Sequence, residues 1–482
     1  MAILIISLYA LLIGGAGIIF FLNKKIYQIT HEWSVAIASF ILYYWGIAGA
    51  WILIPDQLSN EKGKVIGLHY YYIFEKLFKV DVDWIYFQSI LSYSLFIICF
   101  LTILLLAIRK FSFPKTFLSP NQLPQVNSIF IFTTTVFLIL VSAYVMRKEL
   151  FFSVSFSKSI YLITRNSNNS LKSIHQLANN YIVFVPLYGM LILQNAPKKI
   201  YDKIFIYISV FLGIGYLTAL GNRHELVFSG IFILFFLIKW FFEKIITLKK
   251  IIVVSCIITI PIILSDPARA IFPIIISHIY HPNLAKEELD ELNKINVYAS
   301  DDVLIATSHA LANVAFSNEL FFANFSMYGI LKKNVAITNG TSIKILANSL
   351  LPKFIFHKKN TQEDIYSYYA RSVNAKPGQG YSIYNSAAWY LNFGWVGILL
   401  GAIVLMLFFY LGFWLRIQSE STNNLFLKFA YFTFLFLLAA QFPSIVRSGP
   451  ENIKSILFEA LLIPMAIIFC MYNATQLLKK LK

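Results

Sequence analysis

Eleven apolar runs, near 2–22, 33–54, 85–108, 127–146, 180–195, 202–220, 224–242, 249–265, 388–415, 424–446 and 452–474, divide this chain. Most approach the roughly 20 residues that a helix needs to cross the hydrocarbon of a bilayer. Inside lipid, every backbone N–H and C=O must be bonded within its own segment, and for runs of this length the solution is the α-helix. The expectation is an all-α polytopic membrane protein of about 11 transmembrane helices, a single integral membrane domain over 1–482. Composition agrees: 58% of residues are hydrophobic and 13% charged, with a mean hydropathy of +0.68, which places the chain outside the soluble classes. No basic region precedes the first apolar run and no small-residue cleavage site follows it, so the run reads as a retained span and not a signal peptide.

Orientation follows from the short loops. Lys24-Lys25, Arg109-Lys110 with Lys115, Lys198-Lys199 with Lys203, Lys244 with Lys249-Lys250, Arg416, and Lys479-Lys480 with Lys482 all fall on one side of that array. Positive charge in short loops marks the cytoplasm, which puts the N-terminus outside and the C-terminus inside. The formal net charge of +17 therefore belongs to topology and to anionic lipid headgroups, and nucleic acid is not an expected partner. Cys99, Cys256 and Cys470 lie within apolar runs and read as small core residues.

Three longer segments face outward on this topology: 55–84, 147–179 and 266–387. The last is far longer than a connector requires, and such loops usually carry function. Amphipathic stretches at Leu304–Phe316, Leu320–Ile330 and Ile343–Leu350 alternate there with polar breaks such as Asn339-Gly340. The pattern predicts an ordered helical cap at the membrane surface. The cap ends in a polar, aromatic run, Gly378, Gly380, Tyr381, Ser382, Tyr384, Asn385, Ser386, that leads into the ninth span through Tyr390, Asn392 and Phe393-Gly394-Trp395. That run either holds a substrate at the membrane surface or is a loop whose aromatics sit at the interface.

The eight arginines are unevenly placed. Arg109 and Arg416 are assigned to the cytoplasmic side; Arg147, Arg165, Arg223, Arg269, Arg371 and Arg447 are assigned to outer span ends or outer loops. This opposes the positive-inside tendency. A guanidinium fork binds phosphate oxygens bidentately, as lysine does not, so outer arginines suit a lipid-linked phosphate; snorkelling and surface pairing are the alternative. Arg223 stands in the tight hairpin Gly221-Asn222-Arg223-His224-Glu225, where an anion would also meet the start of the next helix; simple helix capping is the other reading. Arg269 and Arg447 follow span ends, and Arg371 precedes the Gly-rich entry. Candidate bases are Glu225, His224, Asp266, Asp301, Asp302 and His309, of which His309 lies in an amphipathic part of the cap, as a base or as a packed histidine. Asp81-Val82-Asp83 is a D-x-D-like pair of the kind that can hold a metal and a phosphate, but a lone pair this short recurs by chance. No His/Cys zinc spacing, P-loop or nucleophile elbow occurs, and neither metal nor cofactor is expected.

Taken together, the late outer loop, the Gly221–Arg223 turn, Asn339-Gly340-Thr341-Ser342, then Leu350-Leu351-Pro352 and Lys358-Lys359, and finally Tyr390-Leu391-Asn392-Phe393-Gly394 resemble the O-antigen or oligosaccharide repeat-unit polymerases. The resemblance covers roughly Gly221–Arg223 and Asn339–Gly394. It implies a membrane-embedded, metal-independent glycosyltransferase of the bacterial inner membrane, working on undecaprenyl-pyrophosphate-linked repeat units at the periplasmic face, with a chain-length regulator as a partner. On that analogy Arg223, Arg269, Arg371 and Arg447 hold pyrophosphate or glycan, and His309, Glu225 or Asp266 assists the acceptor hydroxyl. Tyr381, Ser382, Asn385, Tyr390 and Asn392 line the substrate cavity. One departure is evident: where family members carry an acid shortly before the Tyr-Asn-Phe-Gly element, this chain has Ala388. Other activities fitting the same outline are an O-antigen ligase, a transferase using polyprenyl-phosphate sugars, and a lipid-linked oligosaccharide flippase, the last disfavoured by spans nearly free of charge and without a repeat.

Overall fold

The computed structural model describes residues 77–81, 83–110, 126–145, 169–194, 200–219, 247–249, 252–253, 256, 323–350, 363–375, 383–422, 424–440, 445 and 449–481. Among these, regular structure is entirely helical. The longer helices are α1 (Trp84–Lys110), α2 (Ser128–Val145), α3 (Asn169–Gln194), α4 (Ile200–Ala219), α5 (Ala323–Lys332), α6 (Thr341–Leu350), α7 (Ile365–Ser372), α8 (Asn385–Phe393), α9 (Trp395–Ser421), α10 (Leu425–Ala440) and α11 (Ile463–Lys480). Four described stretches are long and apolar enough to cross a membrane: Trp84–Ala107, Ile200–Leu217, Trp395–Ser421 and Pro450–Lys480. Ser128–Tyr144 and Leu425–Phe436 are shorter apolar helices. Phe137, Leu140, Phe211 and Leu407 on these helices stay exposed, as apolar side chains facing lipid would. The runs near 2–22, 33–54 and 224–242, and nearly all of 249–265, lie outside the described residues.

The chain divides into two compact units. The first comprises Met1–Ser112, Asn293–Leu411 and Ser444–Lys454. Its first described helix, α1, starts at an acidic cap: Asp83 Oδ1 accepts from the Tyr86 N–H at 2.8 Å, satisfying one of the donors that a helix start leaves open. α5 lies along α1. Gly329 on α5 makes room for Phe78, just ahead of α1, since a Cβ there would run into the Phe78 ring. The Tyr93 hydroxyl and Ser326 Oγ bond at 3.0 Å across the same contact, and Tyr328 sits edge-on to both Phe78 and Tyr86. Phe100 and Phe409 join α1 to the first part of α9.

The second unit comprises Phe113–Leu292, Gly412–Pro443 and Ser455–Lys482. Here α2, α3 and α4 pack on one another, and α3 also meets α10 and α11. Gly189 lets α4 close on α3, since a Cβ there would lie only 2.7 Å from Val210. Phe184, Tyr188, Phe429 and Phe436 form an edge-to-face cluster between α3 and α10, a geometry favoured by the ring quadrupole.

Three elements differ from the sequence expectation. The span near 180–195 is the second half of α3, which begins at Asn169 within the stretch expected to be outer loop. The polar first half (Asn169, Ser170, Lys172, Ser173) conceals it from hydropathy, although nothing breaks a helix before Pro186. The ninth span does not begin at 388: Gly394 ends α8 at φ 62, ψ −147, a region open essentially to glycine alone, and α9 starts afresh at Trp395. It then runs past 415 to Ser421, because Arg416 is buried inside the protein with Glu420 one turn on, N to O 3.5 Å. The last span opens with a 3-10 turn, Pro450–Asn452, and a π-helical stretch, Ser455–Leu462. The wide turn lies directly before Pro464, whose ring cannot sit over an ordinary preceding turn.

Candidate functional site

Two of the sequence motifs, Asn339–Ser342 and Tyr390–Gly394, meet around α8, within the first unit. Two chain segments far apart in sequence, 335–342 and 391–394, are tied together by backbone. Thr338 N–H donates to Leu391 O at 2.7 Å and Gly340 N–H to Asn392 O at 3.1 Å. These are carbonyls that the end of a helix would otherwise leave unbonded. The loop achieves this by turning at Asn339 and Gly340, both at positive φ (51 and 82), where asparagine and glycine are the residues that fit. Gly340 also lies flat against the Phe393 ring, which a Cβ at this position would approach to 3.0 Å.

Asn392 is the latch between the two segments. It is 0% exposed. Its Oδ1 accepts from Ser342 N–H at 3.1 Å and Thr338 Oγ1 at 3.4 Å, while Nδ2 donates to Ser342 Oγ at 3.1 Å and Ala388 O at 2.8 Å. The amide's hydrogen-bonding capacity is thus used within the protein, and its effect on anything bound nearby is exerted through Ser342 and Thr338.

α8 folds back on α9. A Cβ on Gly397 would collide with the Trp389 carbonyl, and one on Gly401 would sit 2.6 Å from the Trp389 ring. The two glycines make a groove in α9 that receives Trp389, itself buried. Tyr390, on another face, is half-buried and meets Trp395 edge-on, centroids 5.6 Å apart; burial raises the pKa of its phenol. Asn385 and Ser386, at the other end of α8, are buried. Asn385 Nδ2 donates to Ile445 O at 3.2 Å, whereas Asn385 Oδ1 and Ser386 Oγ make no hydrogen bond within the protein.

The segment that leads into the last span runs alongside. Lys454 Nζ donates to Ser349 O at 2.6 Å, at the last turn of α6. The Glu451 carboxylate lies near the Ser342 hydroxyl in the first turn of α6 and the backbone N–H groups of Glu451 and Ile365, with Asp364 close by. A carboxylate at the start of α6 and an ammonium at its end both complement the helix dipole. Gly449 makes room for this arrangement: a Cβ there would lie 2.5 Å from Glu451 Oε2 and 2.6 Å from Ile365 Cγ2. Glu451 Oε2 is sealed from solvent and makes no hydrogen bond. Such a group costs about 1–3 kcal/mol, and more when charged, so its retention asks for a reason.

Of the expected site residues, Arg371, Asn385, Tyr390 and Asn392 are described. Arg371 is well exposed and forks onto Glu363, Nη2 to Oε2 2.6 Å and Nε to Oε2 3.2 Å, and it lies 5.7 Å from the Tyr368 ring; the neighbouring carboxylate raises its already high pKa. Arg223, Glu225, Asp266, Arg269, His309, Tyr381, Ser382 and Arg447 lie outside the described residues, as do Asp301 and Asp302. The D-x-D-like pair has a local role. Asp83 caps α1 and takes Lys332 Nζ at 3.3 Å, Asp81 lies 3.9 Å from the same ammonium, and Asp81 N–H donates to the Tyr328 hydroxyl at 3.1 Å. Burial raises the pKa of Tyr328, and its hydroxyl together with Asp83 raises that of Lys332. Among the described residues, no group of three or more His, Cys, Asp or Glu is placed to hold a metal.

Sequence reasoning missed Glu451, although a signal existed. An acid directly after Gly449-Pro450 opens an apolar run that contains one other acid, Glu459, and charge at the mouth of a span is uncommon enough to weigh. The described residues are thus all-helical, with four stretches long and apolar enough to cross a membrane. No family model, curated protein or solved structure matches it.

Proposed function

We propose that this chain polymerises undecaprenyl-pyrophosphate-linked oligosaccharide repeat units in the bacterial inner membrane, by glycosyl transfer at the periplasmic face. The observation that carries the reading is the junction of Asn339–Ser342 with Tyr390–Gly394. These are the stretches on which the resemblance to repeat-unit polymerases rests, and they are hydrogen-bonded to each other at the head of a spanning helix. A lipid-linked substrate has its reacting bond at such a head, where hydrocarbon gives way to water.

In this reading Arg223, Arg269, Arg371 and Arg447 hold the pyrophosphate, whose developing charge is what a glycosyl transferase must chiefly stabilise. Arg371 would exchange Glu363 for phosphate oxygens. His309, Glu225 or Asp266 assists the acceptor hydroxyl, and Tyr381, Ser382, Asn385 and Tyr390 contact the glycan, with Asn392 holding their frame. The growing glycan leaves its lipid and joins the new unit, and a chain-length regulator sets when elongation stops.

The test is an incubation of the purified protein in proteoliposomes with lipid-linked repeat units alone. A ladder of lengthened glycans on lipid supports the proposal. No ladder, but transfer of preformed polymer to added lipid A core, identifies a ligase instead and refutes it.

A further inference from the structure

Resting on that polymerase reading, we propose that Glu451, at the start of the last span, is the proton acceptor for the attacking sugar hydroxyl, in preference to His309, Glu225 or Asp266. The geometry has four parts. Glu451 is joined to the motif junction through Ser342, whose hydroxyl lies near its carboxylate and whose Oγ also accepts from Asn392 Nδ2, which in turn donates to Ala388 O. One carboxylate oxygen, Oε2, has no hydrogen-bonding partner, as a group kept ready to receive a proton requires. Gly449 packs directly against that oxygen, where a Cβ would lie 2.5 Å from it. Finally, Asn385 Oδ1 and Ser386 Oγ on α8 are likewise buried without a partner, so unmatched polar atoms recur along the helix that links Ile445 to Ser342.

The step balances without a further reactant. The acceptor O–H gives its proton to Glu451, its oxygen forms the new bond to the anomeric carbon of the growing glycan, and the bond from that carbon to the pyrophosphate oxygen breaks. Undecaprenyl pyrophosphate leaves with the electron pair, and the proton on Glu451 passes to water. Carboxylate and hydroxyl need only come within hydrogen-bond reach.

E451Q and E451D test this in vesicles of phosphatidylethanolamine and phosphatidylglycerol, with two probes. Lipid-linked repeat unit extracted from the source cells reads elongation; undecaprenyl pyrophosphate alone reads capture. The expected result is a loss of at least 100-fold in elongation rate for E451Q, partial activity for E451D, and capture and melting temperature close to those of the wild type in both. E451Q that elongates within threefold of the wild type, beside a wild-type ladder, overturns the assignment and leaves the polymerase reading standing. E451Q that loses capture and melting temperature together overturns it in favour of a structural carboxylate. A wild type that captures undecaprenyl pyrophosphate but never elongates overturns the polymerase reading, and this assignment with it.

Discussion

Replacing Asn392 with Ala should loosen the joint between the cap loop and α8 by an amount that can be worked from the structure. The side chain is fully buried and makes four polar contacts. Truncation leaves the Ser342 N–H without an acceptor in a residue that is itself 0% exposed, a penalty of about 1–3 kcal/mol. The bonds to Ser342 Oγ and Ala388 O are lost as well, at about 1 kcal/mol each. The Thr338 contact, at 3.4 Å, adds little. The sum is about 3–5 kcal/mol, well above a typical substitution. Equilibrium unfolding of the purified protein in mixed micelles, followed by tryptophan fluorescence, reads this directly, because Trp389 and Trp395 flank the joint. Thr338→Val serves as a control and should cost about 1 kcal/mol. A loss below about 1 kcal/mol for Asn392→Ala would refute the claim that this amide fastens the two segments.

Other substitutions follow from the same contacts. Gly394→Ala forces a Cβ into a backbone region that excludes it, at about 1–3 kcal/mol, and should lower the melting temperature. Gly397→Val drives a side chain into the Trp389 carbonyl and should expose Trp389, seen as a red-shifted emission with increased quenching by iodide; unchanged emission would argue against the fold-back of α8. Gly449→Ala should depress elongation more than stability, since its Cβ presses first on Glu451; full activity would show that the carboxylate has room to move. Lys332→Met should change stability by no more than about 1 kcal/mol, because its pairs with Asp81 and Asp83 are partly solvated, and unfolding in denaturant measures it.

How far the sequence carried can be seen element by element. Apolar length located α1, α2, α4, α10 and the body of α9 to within a few residues, since the need to bond every backbone group in lipid is a local rule. The helices α5 and α6 were visible as amphipathic stretches, and Asn339-Gly340 as a turn, because positive φ selects those residues. The start of α3 was hidden, as its first half is polar and resembles a loop by hydropathy. The break at Gly394 was hidden for another reason. Apolar residues continue on both sides of it, and only the contact of Trp389 with Gly397 and Gly401 shows that the chain doubles back. Glu451 was the largest omission. Its partners Ser342 and Ile365 lie some hundred residues or so before it in the chain, and no local pattern encodes that meeting. The D-x-D-like pair shows the converse: the spacing was legible, but its work as a helix cap and lysine partner depended on α5 packing along α1.

The most direct measurement is covalent mapping of the substrate position. A lipid-linked repeat unit carrying a photoreactive diazirine on its sugar is bound to the protein in proteoliposomes, irradiated, and its adducts located by mass spectrometry. Adducts are expected within 339–342, 385–393 and 445–452, competed by unlabelled lipid-linked unit. Competed adducts confined to α2, α3 or α4, with none in those three segments, would contradict it.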